Sequence, residues 1–236
     1  MKPKKDWIEE EKRNAALEAV KHVKDNTVIG LGSGSTVAYA IEKIGNKIKR
    51  EGLHVLAVPT SYQALMLAVK HEIPTTTLEE HPLLDLTVDG ADQIDEELNL
   101  IKGMGGALTR EKIVASVSKR LIIVADENKK VKVLGEKNHP VPIEAIPFAA
   151  KPVMHKIKEM KGKPVLRKAK GKVGPVVTDN GNIIIDANFG VIQKPAELER
   201  KLKSISGVVE TGLFIKMADI VYLGKPDSVE RIERKR

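Results

Sequence analysis

The sequence predicts an α/β protein with a doubly wound, mostly parallel sheet and a second, smaller α+β domain, ferredoxin-like in type, inserted near the C-terminal half. Apolar strand patterns alternate with amphipathic helical patterns from residue 7 to residue 124, which is typical of a sheet covered by helices on both faces. A loop rich in glycine and hydroxyl side chains joins the first strand to its helix. Beyond residue 131 the pattern changes to shorter strands and turns.

The first half of the chain supplies the elements of the large sheet. Helices are predicted at residues 7–23, 37–49 and 107–119, and strands at residues 27–31, 55–58 and 84–88. The third strand runs directly into Asp89. We therefore expect Asp89 at the carboxyl end of a parallel strand, where open α/β sheets bind their ligands.

The second half is predicted to hold the smaller domain. Its strands are expected after residue 140 through residue 146 and at 164–167, 174–178 and 182–186, and its helices at 147–160 and 195–204. The turn Asp179-Asn180-Gly181 joins two of these strands as a hairpin. Strands at 208–213 and 220–223 are then expected to return to the first domain. The predicted division is residues 1–130 with 207–236 for the catalytic domain, and residues 131–206 for a small domain suited to subunit contact.

The composition limits the chemistry. The chain has 236 residues, of which 42% are hydrophobic and 3% aromatic, so aliphatic side chains must dominate its core. The absence of cysteine excludes disulfides, thiolate catalysis and cysteine metal sites. The six histidines do not have zinc-site spacing, and we expect no metal. No stretch approaches the roughly 20 apolar residues of a membrane span, so the sequence predicts a cytoplasmic protein without a membrane partner.

The formal charge of +8 raises the question of a nucleic-acid partner. The densest basic clusters, at residues 2–5, 161–172 and 231–236, lack interleaved aromatic side chains, and no nucleic-acid-binding motif is present. We therefore predict no nucleic-acid partner and interpret residues 161–172 as a solvated loop. A basic surface also attracts small anions, which we favour as the meaning of the charge.

Most of the candidate catalytic side chains stand between Asp89 and Lys112. Asp92 and Glu111 supply two more carboxylates, and Lys102 opens a glycine-rich turn between them. This combination suits general acid/base chemistry on a small anionic molecule. Glu111 is expected in the first turn of its helix, where the helix dipole favours a carboxylate. The structural alternative is that these acidic residues only form turns or cap helices.

The loop after the first predicted strand has a composition suited to binding phosphate. Gly32-Ser33-Gly34-Ser35-Thr36 stands between a strand and a helix, where backbone N–H groups and hydroxyls can surround an anion. The loop lacks the Gly-Lys-Ser/Thr ending of a P-loop and the third glycine of the dinucleotide-binding pattern. The alternative is an ordinary tight turn with a Ser/Thr helix cap.

These motifs together resemble the type A family of ribose-5-phosphate isomerases, sugar-phosphate isomerases of the pentose phosphate pathway. The resemblance covers nearly the whole chain in order, and it is carried by residues 32–36, 58–61, 89–92, 102–112, 177–182 and 207–214. One departure stands out, because Met104 occupies a position where the family run commonly has glycine. We expect Met104 to alter the stiffness of its loop without removing the chemistry.

The resemblance implies a role for each site residue. Glu111 matches the catalytic base that moves a proton between C1 and C2 of the open-chain sugar through an enediolate, and Asp89, Asp92 and Lys102 match the other catalytic positions. The implied substrate-binding residues are Ser33, Gly34, Ser35, Thr36, Gly90, Ala91, Gly103, Met104, Gly105 and Lys129. The resemblance also implies a sugar-phosphate substrate, no cofactor or metal, and a homodimer or homotetramer.

Two other functions remain as alternatives. Transcriptional regulators that bind sugar phosphates and coenzyme A transferases share the general sheet and a glycine-rich first loop. A regulator needs a helix-turn-helix segment, and the 25 residues before Asn26 are too few for one. A transferase usually needs a glutamate that forms a thioester. Glu111 belongs instead to the run 102–112, which resembles the isomerase family.

Overall fold

The structure is a computed structural model that describes residues 4–234. The chain divides into two compact units, the first formed by Met1–Ala91, Arg110–Lys129 and Met217–Arg236 and the second by Asp92–Thr109 and Lys130–Lys216. Residues 1–3 and 235–236, which include the ends of two predicted basic clusters, lie outside the described residues. No helix within residues 4–234 is long and apolar enough to cross a membrane.

Helices and strands alternate along much of the described chain. The α-helices are α1 (Lys4–Val20), α2 (Ser35–Glu51), α3 (Tyr62–Lys70), α4 (Leu108–Ser116), α5 (Ala150–Glu159) and α6 (Pro195–Lys203). The strands are β1 (Thr27–Leu31), β2 (Val55–Pro59), β3 (Leu86–Asp89), β4 (Gln93–Ile94), β5 (Leu100–Ile101), β6 (Leu121–Asp126), β7 (Val141–Ala145), β8 (Lys163–Leu166), β9 (Ile183–Asn188), β10 (Val208–Thr211), β11 (Leu213–Phe214), β12 (Ile220–Gly224) and β13 (Val229–Glu233).

The first unit is built on a six-stranded sheet in the order β13-β12-β6-β3-β1-β2. All neighbours in it are parallel except β13, which runs antiparallel to β12. Ile29 and Leu31 of β1 point into a core shared with α1 and α2, whereas Val28 packs with Val114 of α4. Helices therefore cover both faces, which confirms the predicted α/β class with a mostly parallel sheet.

The second unit contains two antiparallel sheets. One has four strands in the order β10-β7-β9-β8, and the other has three in the order β11-β5-β4. Val141 and Ile143 of β7 form a core with Ile185 of β9, Val153 of α5 and Leu202 of α6. This unit also takes in residues 92–109 and 207–216, which the predicted division assigns to the catalytic domain. The predicted division into a catalytic domain and a small domain stays a prediction.

The strand predicted at residues 174–178 is wrong. The structure gives only isolated bridges there, between Lys168 and Pro175 and between Val177 and Ile183. Gly174 has a left-handed backbone with φ of 103°, and Pro175 has no N–H to donate to a ladder. The pairing is therefore interrupted at these two residues, although the turn at residues 179–181 is present, with the Gly181 N–H donating to the Thr178 carbonyl.

The single strand predicted at residues 208–213, returning to the first domain, is also wrong. The structure has two strands, β10 paired with β7 and β11 paired with β5, and all four lie in the second unit. Gly212 separates them and donates its N–H to Pro142. The edge strand β13 was not predicted, because three of its five residues are charged and its apolar alternation is weak.

Glu11 of α1 is a buried carboxylate with an electrostatic cost. Burial raises its pKa above the ordinary value of 4.5, as does repulsion from Asp126, while the Glu127 N–H donates to Glu11 and lowers it. The folded state therefore favours the protonated form of Glu11 more than the unfolded state does. The resulting destabilisation is absent below about pH 4.5 and complete above the raised pKa.

We expect Glu11→Gln to raise the melting temperature at neutral pH and to have little effect at about pH 4, because glutamine keeps an acceptor for the Glu127 N–H without the charge. Thermal unfolding at several pH values measures this difference. Glu42→Gln, on the exposed side of α2, is the matched control. A neutral-pH melting temperature for Glu11→Gln at or below that of the native protein contradicts the prediction.

Candidate active site

Asp89 lies where the sequence places it, at the carboxyl end of β3. Its side chain is completely buried. The Oδ1 atom accepts hydrogen bonds from the backbone N–H groups of Ser33, at 3.2 Å, and Gly90, at 2.7 Å. A Cβ on Gly32 would lie only 2.0 Å from this oxygen, so the loop can rest on Asp89 only because residue 32 is glycine.

Three hydroxyl groups meet beside this loop. The Ser33 hydroxyl donates to Oγ of Ser61 at 2.6 Å and lies 2.9 Å from Oγ1 of Thr60. Ser61 also accepts from the N–H of Ala64 and caps α3. The loops after β1 and β2 are thereby joined by hydrogen bonds at the carboxyl edge of the parallel sheet.

The strand, loop and helix start predicted around residues 27–49 are present in the structure. Gly34 is the N-cap residue, with φ of 108° and no side-chain cap, and Ser35 and Thr36 open the helix. Ser35 is exposed and Thr36 is half-buried, and the first turn carries no acidic residue. Since Gly34 offers no capping side chain, the first-turn N–H groups and hydroxyls suit an anionic ligand.

Glu111 is in the first turn of α4, as predicted, and is 4% exposed. The preceding residue, Arg110, lies over the ring of Tyr62 at 5.7 Å from its centre. Tyr62 is the first residue of α3, next to the cap residue Ser61. Arg110 is therefore held beside the first turn of α3, and both belong to the first unit.

Lys129 ends a short 3₁₀ turn, Glu127–Lys129, that follows β6. Asp126, the last residue of β6, accepts hydrogen bonds from the backbone N–H and the side-chain amide of Asn128. This Asx-type turn fixes the path of the chain to Lys129. Because β6 runs parallel to β3 and next to it, Lys129 follows the same edge of the sheet as Asp89.

Asp92 and the Lys102 loop belong to the second unit. Oδ2 of Asp92 accepts the N–H of Met104 at 3.0 Å, and the Asp92 N–H donates to the carbonyl of Ile101. Gly103 and Gly106 adopt left-handed backbones, with φ of 106° and 82°. The loop is therefore a sharp, glycine-dependent turn that Asp92 closes by a hydrogen bond.

Lys102 is 3% exposed, so its charge is held away from bulk water. Its Nζ lies 5.4 Å from the centre of the Phe214 ring, a distance that allows a cation–π interaction. Its backbone N–H donates to the carbonyl of Gly212. A Cβ at Gly212 would lie 2.1 Å from the Lys102 carbonyl oxygen, so the two backbones approach closely because residue 212 is glycine.

Two charged residues outside the predicted site, Arg167 and Asp186, hold this loop. Arg167 donates to the carbonyl oxygens of Gly103 and Met104, and it pairs with Asp186. The strand predicted at residues 164–167 is confirmed as β8, and Arg167 directly follows it. The overlapping interpretation of residues 161–172 as a solvated loop is wrong for residues 163–167, because they include this strand and the Arg167 side chain is only 13% exposed. The sequence predicted the strand but not these side-chain contacts, since an arginine in a lysine-rich stretch is typical of the surface.

The predicted site residues thus divide between the units. The first unit holds the Ser33–Thr36 loop, Asp89, Gly90, Ala91, Glu111 and Lys129, and the second holds Asp92, Lys102, Gly103, Met104 and Gly105. Met104 and Gly105 are exposed. Among the described residues no group of three or more histidine or acidic side chains is placed to hold a metal ion.

Comparison with known proteins gives consistent matches. The sequence profile of the family described as ribose 5-phosphate isomerase A (phosphoriboisomerase A) matches residues 56–228. Ribose-5-phosphate isomerase A of Methanosarcina acetivorans is 50% identical over 94% of this chain and 93% of its own. Human ribose-5-phosphate isomerase is 46% identical over 96% of this chain and 74% of its own.

Solved structures agree with these sequence matches. A D-ribose-5-phosphate isomerase in complex with phospho-erythronic acid aligns with a TM-score of 0.94 at 47% identity, covering 96% of this chain and 99% of its own. Ribose 5-phosphate isomerase A from Methanocaldococcus jannaschii aligns with a TM-score of 0.91 at 47% identity, covering 94% of this chain and 97% of its own.

The contact between Gly32 and Asp89 is open to a direct test. We expect Gly32→Ala to destabilise the protein by about 1–3 kcal/mol, because the added methyl group overpacks a buried site. Gly105→Ala is the control, since a Cβ there meets no atom within 4 Å and the backbone is not left-handed. Urea unfolding of both variants measures the change, and equal stability of the two would contradict this account of the loop.

Proposed function

The chain belongs to the ribose 5-phosphate isomerase A family, and on that premise we propose that it interconverts D-ribose 5-phosphate and D-ribulose 5-phosphate in the non-oxidative pentose phosphate pathway. The observation that carries the proposal is the position of Glu111. It is a carboxylate in the first turn of a helix, 4% exposed, and matched to the family's base. Such a group can carry a proton from one carbon to its neighbour without losing it to bulk water.

We assign the proton transfer to Glu111. Its carboxylate takes the proton from C2 of the open-chain aldose, and the C–H electron pair forms the C1–C2 double bond while O1 gains negative charge. The hydroxyl proton on O2 then passes to O1. An electron pair of O2 forms the C2 carbonyl while the electron pair of the C1–C2 double bond takes the proton back from Glu111 at C1. The atoms balance with no oxidant or reductant.

We assign Lys102, Asp89 and Asp92 to the sugar oxygens. A cation that is 3% exposed stabilises a developing oxyanion more strongly than a solvated one does, because water screens it less. Lys102 is such a cation. Asp89 and Asp92 are assigned to the sugar hydroxyls and to ring opening, since each also accepts a backbone hydrogen bond that fixes its carboxylate.

We assign the substrate phosphate to the Ser33–Thr36 loop and Lys129. The start of α2 offers backbone N–H groups, two hydroxyls and the positive end of a helix dipole. Lys129 adds a cation near the same sheet edge. Phosphate binding away from the reacting carbons supplies energy that orients C1 and C2 against the base.

The ligand of a solved relative supports the proposed isomerase chemistry. Phospho-erythronic acid, bound in that structure, combines a phosphate, sugar-like hydroxyls and a carboxylate. The planar, negatively charged carboxylate resembles the oxygen arrangement of an enediolate, which is the species an isomerase of this type stabilises. Neither the effector-binding regulator nor the coenzyme A transferase is favoured by the family match.

Finer features of the protein are proposed on the same basis. We propose that residues 131–206, together with the adjoining strand β10 (Val208–Thr211), act as an inserted ferredoxin-like domain, since β7-α5-β8-β9-α6-β10 follow the βαββαβ order of that fold. Its exposed Phe148 suits subunit contact, and a homodimer or homotetramer is proposed, which the particle mass in solution would distinguish. A cytoplasmic location stays a prediction from the sequence.

Activity measured after EDTA treatment tests the proposed function. We expect the native protein to interconvert the two pentose phosphates, and Glu111→Gln to lose roughly 10²–10⁴-fold in kcat because the general base is gone. Substrate-induced thermal stabilisation should persist in the variant. Glu96→Gln, at an exposed position between β4 and β5, is the control. Near-normal turnover by Glu111→Gln would exclude it as the base, and an inactive native protein would contradict the function.

The phosphate assignment predicts a different kinetic change. Thr36→Val keeps the shape of the side chain and removes its hydroxyl, so we expect KM for ribose 5-phosphate to rise roughly tenfold, as for loss of a hydrogen bond to a charged group. The value of kcat should change much less. Thr27→Val, at the other end of β1, is the control. An unchanged KM in Thr36→Val would exclude this hydroxyl from phosphate binding.

A further inference from the structure

Arg167 makes a two-point ion pair inside the second unit. It directly follows β8, and its side chain is 13% exposed, against 20% for its partner Asp186 on β9. Nε of Arg167 donates to Oδ2 of Asp186 at 2.8 Å, and Nη2 donates to Oδ1. Two parallel bonds of this kind fix the plane and direction of the guanidinium group.

The opposite edge of the same guanidinium group reaches the Lys102 loop. Nη1 donates to the carbonyl oxygens of Gly103 and Met104, each at 2.9 Å, and Nη2 lies 3.9 Å from Sδ of Met104. A single side chain therefore joins the β8–β9 pair to the two residues that follow Lys102. Lysine could not make this set of contacts, because its ammonium group lacks the planar fork.

The loop depends on such outer contacts because its own sequence is permissive. Gly103 and Gly106 have left-handed backbones, and glycine leaves the chain free to adopt many other conformations. The Lys102 N–H is fixed by Gly212 and the Met104 N–H by Asp92. Arg167 fixes the carbonyl side of the same turn, so its bonds complete the restraint on the backbone that carries Lys102.

We propose that Arg167 is a positioning residue for Lys102, oriented for this task by Asp186. The inference rests on the proposed function, in which Lys102 stabilises the charge that develops on the sugar oxygens. Arg167 contributes by holding the backbone of residues 103 and 104, and thereby the direction of the neighbouring lysine. The reaction then depends also on Arg167 and Asp186, a residue pair at the β8–β9 edge of the four-stranded sheet.

The expected changes in kcat and KM follow from the stage of the reaction at which Lys102 acts. Lys102 acts mainly on the transition state, in which the oxygen is charged, whereas the phosphate supplies most of the ground-state binding. A displaced Lys102 should therefore lower kcat and leave KM nearly unchanged. Displacement by about 1 Å can cost roughly 10²-fold in rate. A side chain important only for folding would lower the amount of active protein and leave kcat per folded molecule unchanged.

The test compares Arg167→Met, Arg167→Lys and Asp186→Asn in the full-length protein, below their melting temperatures. We expect kcat of Arg167→Met to fall about 10–100-fold with KM within about threefold. Arg167→Lys should recover stability, because a cation still faces Asp186, and yet keep a low kcat. The kcat of Asp186→Asn should lie between that of Arg167→Met and that of the native protein. Arg234→Met, which breaks the Arg234–Asp219 pair of the first unit, is the matched control and should retain kcat.

Hydrogen exchange gives a readout that does not depend on activity. In Arg167→Met, a peptide covering residues 100–108 should exchange faster than in the native protein, while a peptide covering α2 should not change. Native-like kcat in Arg167→Met, or full recovery of kcat by Arg167→Lys, would overturn the proposal. If Arg167→Met does not fold, native-like kcat in both Arg167→Lys and Asp186→Asn overturns it. An inactive native protein would instead contradict the proposed function, and loop exchange would still test the restraint by Arg167.

Discussion

The loops at the carboxyl edge of the parallel sheet in the first unit depend on one buried carboxylate. Asp89 is completely buried at the end of β3 and accepts the backbone N–H groups of Ser33 and Gly90. An ionised carboxylate is costly to bury unless hydrogen bonds satisfy it. The loop that supplies a bond passes close only because Gly32 has no Cβ. Asp89 and the glycine-rich loop therefore hold each other in place, and the start of α2 takes its position from both.

The second unit uses the complementary arrangement. There a cation, Arg167, donates to the backbone carbonyls of a glycine-rich turn, whereas in the first unit a carboxylate accepts backbone N–H groups. Close backbone contact again needs a glycine, Gly212, beside Lys102. Glycine gives each loop its sharp path, and a largely buried charged side chain removes the conformational freedom that glycine brings.

Local patterns predicted those parts of the fold that local physics controls. The strand at residues 27–31, the position of Asp89 and the first-turn position of Glu111 all follow from apolar periodicity and helix-start chemistry. The pattern failed at residues 174–178, where φ of Gly174 and the missing N–H of Pro175 outweigh the β-branched residues that follow. It also failed at β10 and β11, because the partner of a strand is a non-local property.

The sequence by itself determined the family, the α/β class, the two glycine-rich loops and the charged residues beside them. Each of these features depends on short stretches of neighbouring residues, so it can be recognised without the tertiary structure. Only the tertiary structure decided which distant residues support those loops. Arg167 and Asp186 are 19 positions apart, and Arg167 reaches Met104 across 63. Sequence spacing carries no information on such contacts, since strand pairing and backbone packing set them, and the same arginine in a lysine-rich segment is otherwise indistinguishable from solvated surface.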